Sequence, residues 1–191
     1  SVNMTTETIL SVLVGIALAA ACGFRVFVPM LAMSIASHTG HLNLSSGFEW
    51  IGTMPALIGF GAATVFEIAG YYIPWVDHML DVIATPAAVA AGAIAMASSM
   101  VGFSPFLHWT LALIAGGGVA GLIQTFTGIT RLTSTATTGG AANPLVSTAE
   151  AGGATALSLL AILLPLVAAA VVAIVLFVVV RKLYKKFFQT A

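Results

Sequence analysis

Two arginines stand inside otherwise apolar stretches of this sequence, Arg25 and Arg131, and neither has an acid beside it in the chain. A cation near the core of a bilayer costs at least about 2.5 to 3.5 kcal/mol on insertion scales, so an intramembrane arginine is read first as functional. Two guanidiniums near helix ends and facing one cavity would bind an anionic group bidentately. The plainer reading is that each snorkels to an interface or pairs with the glutamate of its own half of the chain. Glu67 lies deep in an apolar segment with Tyr71 one helical turn later, and Asp77 and Asp81 are also one turn apart. Facing one aqueous vestibule, these acids would relay a proton or hold a cation through oxygen ligands. Glu67 is read as functional or as pairing between helices, with proximity to the interface as its alternative, and the alternative for the two aspartates is solvated positions at headgroup level.

Glu49 and Glu150 each close an S-x-x-E box, Ser46 to Glu49 and Ser147 to Glu150. In such a box serine and glutamate satisfy free backbone N–H groups at a helix start. Both are read first as caps, and a glutamate that also salt-bridges an arginine would combine that role with ligand binding. Arg25, Arg131, Glu67, Glu49 and Glu150 are therefore the candidate substrate- or ion-binding set, with Asp77, Asp81 and Tyr71 as candidate coupling or gating residues. His38, His41, His78 and His108 are scattered, whereas a metal needs three or four convergent donors. No metal or other cofactor is expected. No nucleophile elbow accompanies the serines, and Gly116-Gly117-Gly118 lacks the lysine and strand of a phosphate loop.

These residues have to be positioned by helices. The chain has 191 residues, is 60% apolar and 6% charged, and has a mean hydropathy of +1.10. A soluble domain carries about 25% charged residues, so this alphabet builds an integral membrane protein. Several windows exceed the roughly 18 to 20 apolar residues that cross a hydrocarbon core, and backbone in lipid must bond internally, as helices do. Net charge is zero, and four of the six basic residues, Arg181, Lys182, Lys185 and Lys186, crowd the C-terminal tail. Nucleic-acid binding has no footprint, and the positive-inside rule places that tail in the cytoplasm. The one cysteine, Cys22, reads as a small packing residue. Residues 9–21 faintly resemble a signal segment, but no basic region precedes them; they are read as the first membrane helix.

The expected architecture is all-α, a polytopic transmembrane bundle forming one membrane domain over 1–191, with six helices or alternatively five. Residues 9–35 form a first segment kinked or broken around Arg25 and Pro29. A second runs from Glu49 to Ile73, a third from Val82 to Val101, and a fourth from Pro105 to Gly128 or Arg131. Residues 128–146 are expected as irregular backbone lining a cavity, and 147–184 as one long or two short spans divided at Pro165. Gly15, Ala19 and Gly23, and Gly117 with Gly121, have the four-residue spacing of close helix packing. Trp50, Trp75 and Trp109 read as interface anchors. Residues 8–101 laid over 105–184 repeat a rough pattern, a glycine and arginine at a helix end, a polar linker and an S-x-x-E box. Three spans per half would make a 3+3 inverted repeat with broken helices and a site near the bilayer midplane, the plan of secondary transporters.

Three blocks, GFRVFVP at 23–29, EIAGYYIPWVDHMLDVIATP at 67–86 and TGITRLTSTATTGGAANP at 127–144, occur in this order. In them the chain resembles a family of small bacterial membrane proteins known only as a domain of unknown function, over most of residues 8–184. The resemblance implies a bacterial inner-membrane location and brings no activity with it. The function expected from the residues is a small transporter or channel for a small solute or ion, in the bilayer and as a homo-oligomer, since six short helices enclose little volume. A non-transporting subunit or scaffold and an intramembrane lipid-modifying enzyme are the alternatives.

Overall fold

The computed structural model describes residues 6–188. Among them are seven helices and no strand: α1 (Thr6–Phe24), α2 (Phe27–His38), α3 (Met54–Gly70), α4 (Pro74–Ser99), α5 (Pro105–Thr138), α6 (Asn143–Leu163) and α7 (Pro165–Phe188). A 3₁₀ turn, Glu49–Gly52, precedes α3. Five helices hold segments long and apolar enough to cross a bilayer, namely Thr6–Phe24, Trp75–Ser99, Pro105–Thr138, Asn143–Leu163 and Pro165–Lys186. Helices α2 and α3 are apolar but shorter.

The packing is that of a membrane bundle. Large apolar side chains such as Phe66, Val82, Phe106 and Leu145 point outward, while Ala17, Ala19, Ala20, Ala21 and Cys22 of α1 are fully buried. Water drives large side chains inward; lipid does not, and helices then associate through small residues that let backbones approach. One such close approach joins α4 to α5. A Cβ on Gly92 would lie 2.7 Å from the Gly116 carbonyl oxygen, and one on Gly116 would lie 2.5 Å from that of Gly92. Here α5 widens into a π-helical segment, Ala112–Gly117.

The helices run between two ends. At the first, Ser45 N–H donates to the Ser98 carbonyl (2.7 Å) and Ser45 Oγ to that of Ala97 (2.8 Å), so the 39–53 connection covers the end of α4. Val101 N–H reaches Ser11 Oγ of α1 at the same end. The second end gathers the α1/α2 break, the Tyr71–Ile73 turn between α3 and α4, and the turn at residues 139–142 between α5 and α6. There Tyr72 Oη and Thr148 Oγ1 are 2.7 Å apart, and Gly139 and Gly140 take positive φ to end α5.

Several sequence boundaries move. The first segment does break, at Arg25 and Val26; Pro29 lies in the first turn of α2, where a missing N–H removes no helical bond. Helix α3 starts at Met54 rather than Glu49, capped by Thr53 Oγ1 accepting from Ala56 N–H. Helix α4 starts at Pro74 rather than Val82, so Asp77 and Asp81 are helical. The 128–146 stretch is not irregular, because α5 continues to Thr138 and α6 begins at Asn143. Four of its threonines donate back to their own helix: Thr130 Oγ1 to the Phe126 carbonyl, Thr133 to Ile129, Thr137 to Thr133 and Thr138 to Ser134. Ser147 and Glu150 do not cap α6, whose first turn begins four residues before Ser147. Pro165 does divide the C-terminal region, with Leu164 at φ −140° between α6 and α7.

Candidate buried charge site

Arg131 sits two turns from the end of α5, Asp77 in the first turn of α4 and Glu150 two turns into α6. Because α4 and α6 both start at the second end of the bundle, the two acids meet the arginine there. Arg131 Nη1 donates to Asp77 Oδ1 at 2.5 Å, Nε donates to Glu150 Oε1 at 3.1 Å, and Nη2 donates to Glu150 Oε2. Asp81, one turn further along α4, brings Oδ1 to 3.8 Å from Arg131 Nε. Asn143 closes the group: its Nδ2 donates to Asp77 Oδ2 (3.3 Å) and to Thr135 Oγ1 (3.0 Å).

Arg25 enters from the α1/α2 break. Its Nη2 lies 3.1 Å from Glu150 Oε2 and donates to the Ser147 carbonyl, also at 3.1 Å. Both guanidiniums pack on the Tyr71 ring, with Cζ of Arg25 3.7 Å and Cζ of Arg131 4.0 Å from its centroid. Arg25, Arg131, Asp77 and Glu150 are each no more than 5% exposed. Ions this deeply buried persist only when paired and hydrogen-bonded, and Arg131 meets that condition on three of its nitrogens. Arg25 meets it on Nη2 alone, since its Nε and Nη1 have no partner.

Glu67 has a different task. Its Oε1 accepts from Val26 N–H (2.8 Å) and its Oε2 from Phe27 N–H (3.0 Å), so a carboxylate in the last turns of α3 caps α2 from across the break. The N-terminal end of α2 carries a partial positive charge that favours a carboxylate there. Glu49 does not join the others. It is exposed on the 3₁₀ turn near the first end, where Oε2 accepts from Gly47 N–H at 2.8 Å. Of the residues expected from sequence, Arg25, Arg131, Glu67, Glu150, Tyr71, Asp77 and Asp81 gather in one region. Asn143 was not anticipated, although an Asn-Pro pair at a helix start is a visible signal; nor was Gln124, 6% exposed on α5.

Cavities flank the cluster. One of about 310 Å³ lies at the α1/α2 break between α3 and α4, with Arg25, Glu67, Tyr71 and Gln124 in its wall. A second, of about 390 Å³, is lined by Tyr71, Tyr72, Asp77, Thr135 and Asn143 under the α5/α6 turn. A third, of about 410 Å³, is bordered by Asp81, Gln124 and Thr125. Tyr71 is common to the first two and Gln124 to the first and third. His38 Nδ1 contacts the Gly52 carbonyl and His41 Nδ1 the Thr39 hydroxyl, both in the first-end connection. Among the described residues, no group of three or more His, Cys, Asp or Glu is placed to hold a metal.

The chain belongs to the family described as a domain of unknown function, DUF4126, whose sequence profile matches residues 12–185. No curated protein and no solved structure matches it.

Proposed function

We propose that this protein is a small membrane transporter or channel for a small solute or ion, working as a homo-oligomer in a bacterial inner membrane with its C-terminus in the cytoplasm. One observation carries the reading: a buried cluster of charges lies at a helix break, with a cavity on either side of Tyr71. Broken helices whose ends meet charged groups are how transporters build a site in lipid, and intramembrane ionisable residues mark ion or substrate paths. Charge balance favours a proton or small cation. Four carboxylates, Glu67, Asp77, Asp81 and Glu150, surround two guanidiniums, and Arg131 has its donors committed to Asp77 and Glu150. The reading includes the repeat of residues 8–101 in 105–184, and the packing of Arg25 and Arg131 on the one Tyr71 ring is compatible with it.

The self-contained pairing of Arg131 also favours a second reading, a non-transporting subunit held rigid by its charges. Flux into proteoliposomes, with fluorescent readouts for protons, monovalent cations and anions, separates the two. Asp81→Asn removes one acid and leaves the Arg131 contacts to Asp77 and Glu150 in place. Proton or cation flux in wild type that falls at least about tenfold in Asp81→Asn at equal incorporation supports transport. Absence of flux for every ion, with the protein intact, moves the conclusion to the subunit.

A further inference from the structure

The 310 Å³ cavity at the helix break is amphipathic, and its two characters come from different elements. Phe24, Phe27, Phe66, Leu80, Ile83 and Ala87 make it apolar, while Arg25 supplies a cation to its wall. Glu67 lies in the same wall with its carboxylate turned to the start of α2, where Oε1 accepts from Val26 N–H and Oε2 from Phe27 N–H. Arg25 has donors to spare: it is 2% exposed, yet Nε and Nη1 are without partners. Buried donors left unmade cost about 1 to 3 kcal/mol each, and more when charged, so this guanidinium is poised for an acceptor. It is also the less neutralised arginine, sharing with Arg131 a Glu150 that makes two hydrogen bonds to Arg131. An anionic oxygen is therefore the acceptor it favours.

The route in is lateral. Phe66 on α3 and Ile83 on α4 line the cavity and are 77% and 57% exposed, on surfaces that lipid would cover. A ligand entering between them comes from the hydrocarbon phase and carries an apolar tail. The volume is at the small end of ligand pockets, about 300 to 1,000 Å³, which suits one chain. We propose that this cavity binds a single-chain amphiphile with an anionic oxygen head, carboxylate or phosphate, the head on Arg25 and the tail between α3 and α4. The proposal goes beyond transport and stands whether or not a solute crosses.

The test uses the full chain in nanodiscs of phosphatidylcholine, photolabelled with decanoate carrying a terminal diazirine, followed by digestion and mass spectrometry. Labels are expected on peptides of α3 and α4. Unlabelled decanoate or decyl phosphate should displace the probe, and whichever does so at the lower concentration identifies the head. Decanol and decyltrimethylammonium should need at least about tenfold more, the least that loss of one charge-assisted contact produces. Ala63→Phe fills the cavity without touching a charge and should abolish labelling, so the answer does not hang on Arg25→Gln remaining folded. Labelling spread equally over the outer face of α7, displacement by decanol as effective as by decanoate, or undiminished labelling of Ala63→Phe would each overturn the proposal.

Discussion

The two buried arginines are unequal, and that inequality is measurable. Removing one partner of a buried ion pair costs about 3 to 5 kcal/mol because the other charge stays in a poor solvent. Arg131→Gln strands Asp77, at 2% exposure, and weakens the environment of Glu150. Arg25→Gln leaves Glu150 still bonded to Arg131 and removes two donors that had no partner. Unfolding in mixed micelles should show Arg131→Gln losing stability in the 3 to 5 kcal/mol range and Arg25→Gln losing less than half as much; equal losses would contradict the pairing described. Sequence pointed to both arginines, since their insertion cost is visible in any apolar window. Of their partners it offered the glutamate of each half, which holds for Arg131 with Glu150 but not for Arg25 with Glu49, and no local pattern pointed to Asp77, 54 residues from Arg131. The S-x-x-E pattern at Ser147 misled for a physical reason: the helix had already started at Asn143, so its free N–H groups lie upstream of the box.

At the scale of helices, glycines divide into those that set a distance between backbones and those that do not. Gly92 and Gly116 belong to the first kind; a Cβ on Gly92 would meet Ala120 Cβ at 2.5 Å as well as the Gly116 carbonyl. Gly152 meets nothing within 4 Å. Gly92→Ala must therefore push α4 from α5, with an expected loss of about 1 to 3 kcal/mol from overpacking, whereas Gly152→Ala should be neutral or stabilising by up to about 1 kcal/mol from helix propensity alone. Thermal melts of the two variants side by side check this, and a tolerant Gly92 would mean the α4/α5 contact is looser than described. Small-residue spacing in the sequence did identify packing faces: Gly15 abuts Met96 and Gly23 abuts Ile123. What spacing could not supply was the partner of each face, nor the π segment that turns Gly116 onto Gly92. The Thr-rich end of α5 was misjudged because threonine's hydroxyl can bond the carbonyl one turn back, so a polar composition hid a continuous helix.

For the whole molecule, composition alone was enough to give a helical membrane bundle, since a chain with 6% charged residues cannot clothe itself for water. The path was harder, because α2 and α3 are too short to announce themselves as spans and hydropathy treats a broken helix as a continuous one. The hydrogen bonds settle their course: Glu67 ties the start of α2 to the end of α3, and His38 ties the end of α2 to Gly52 just before α3. The 39–53 connection and the α5/α6 turn therefore lie at opposite ends of the bundle, and α7 runs toward the second end, where Lys182 Nζ is 5.6 Å from the Phe126 ring. If the basic tail is cytoplasmic by the positive-inside rule, the buried charge cluster sits close to the cytoplasmic side, away from the middle of the bilayer, and the 39–53 connection faces outward. Cysteine accessibility tests both statements at once, because Cys22 is fully buried and gives no background in the folded protein. An impermeant maleimide applied to intact cells should label the Ser46→Cys variant and label the Ala141→Cys variant only after permeabilisation, both positions being exposed. The reverse pattern would keep the fold and invert the membrane orientation, placing the cluster on the outer side; labelling of both variants in intact cells would contradict the opposite-ended path itself.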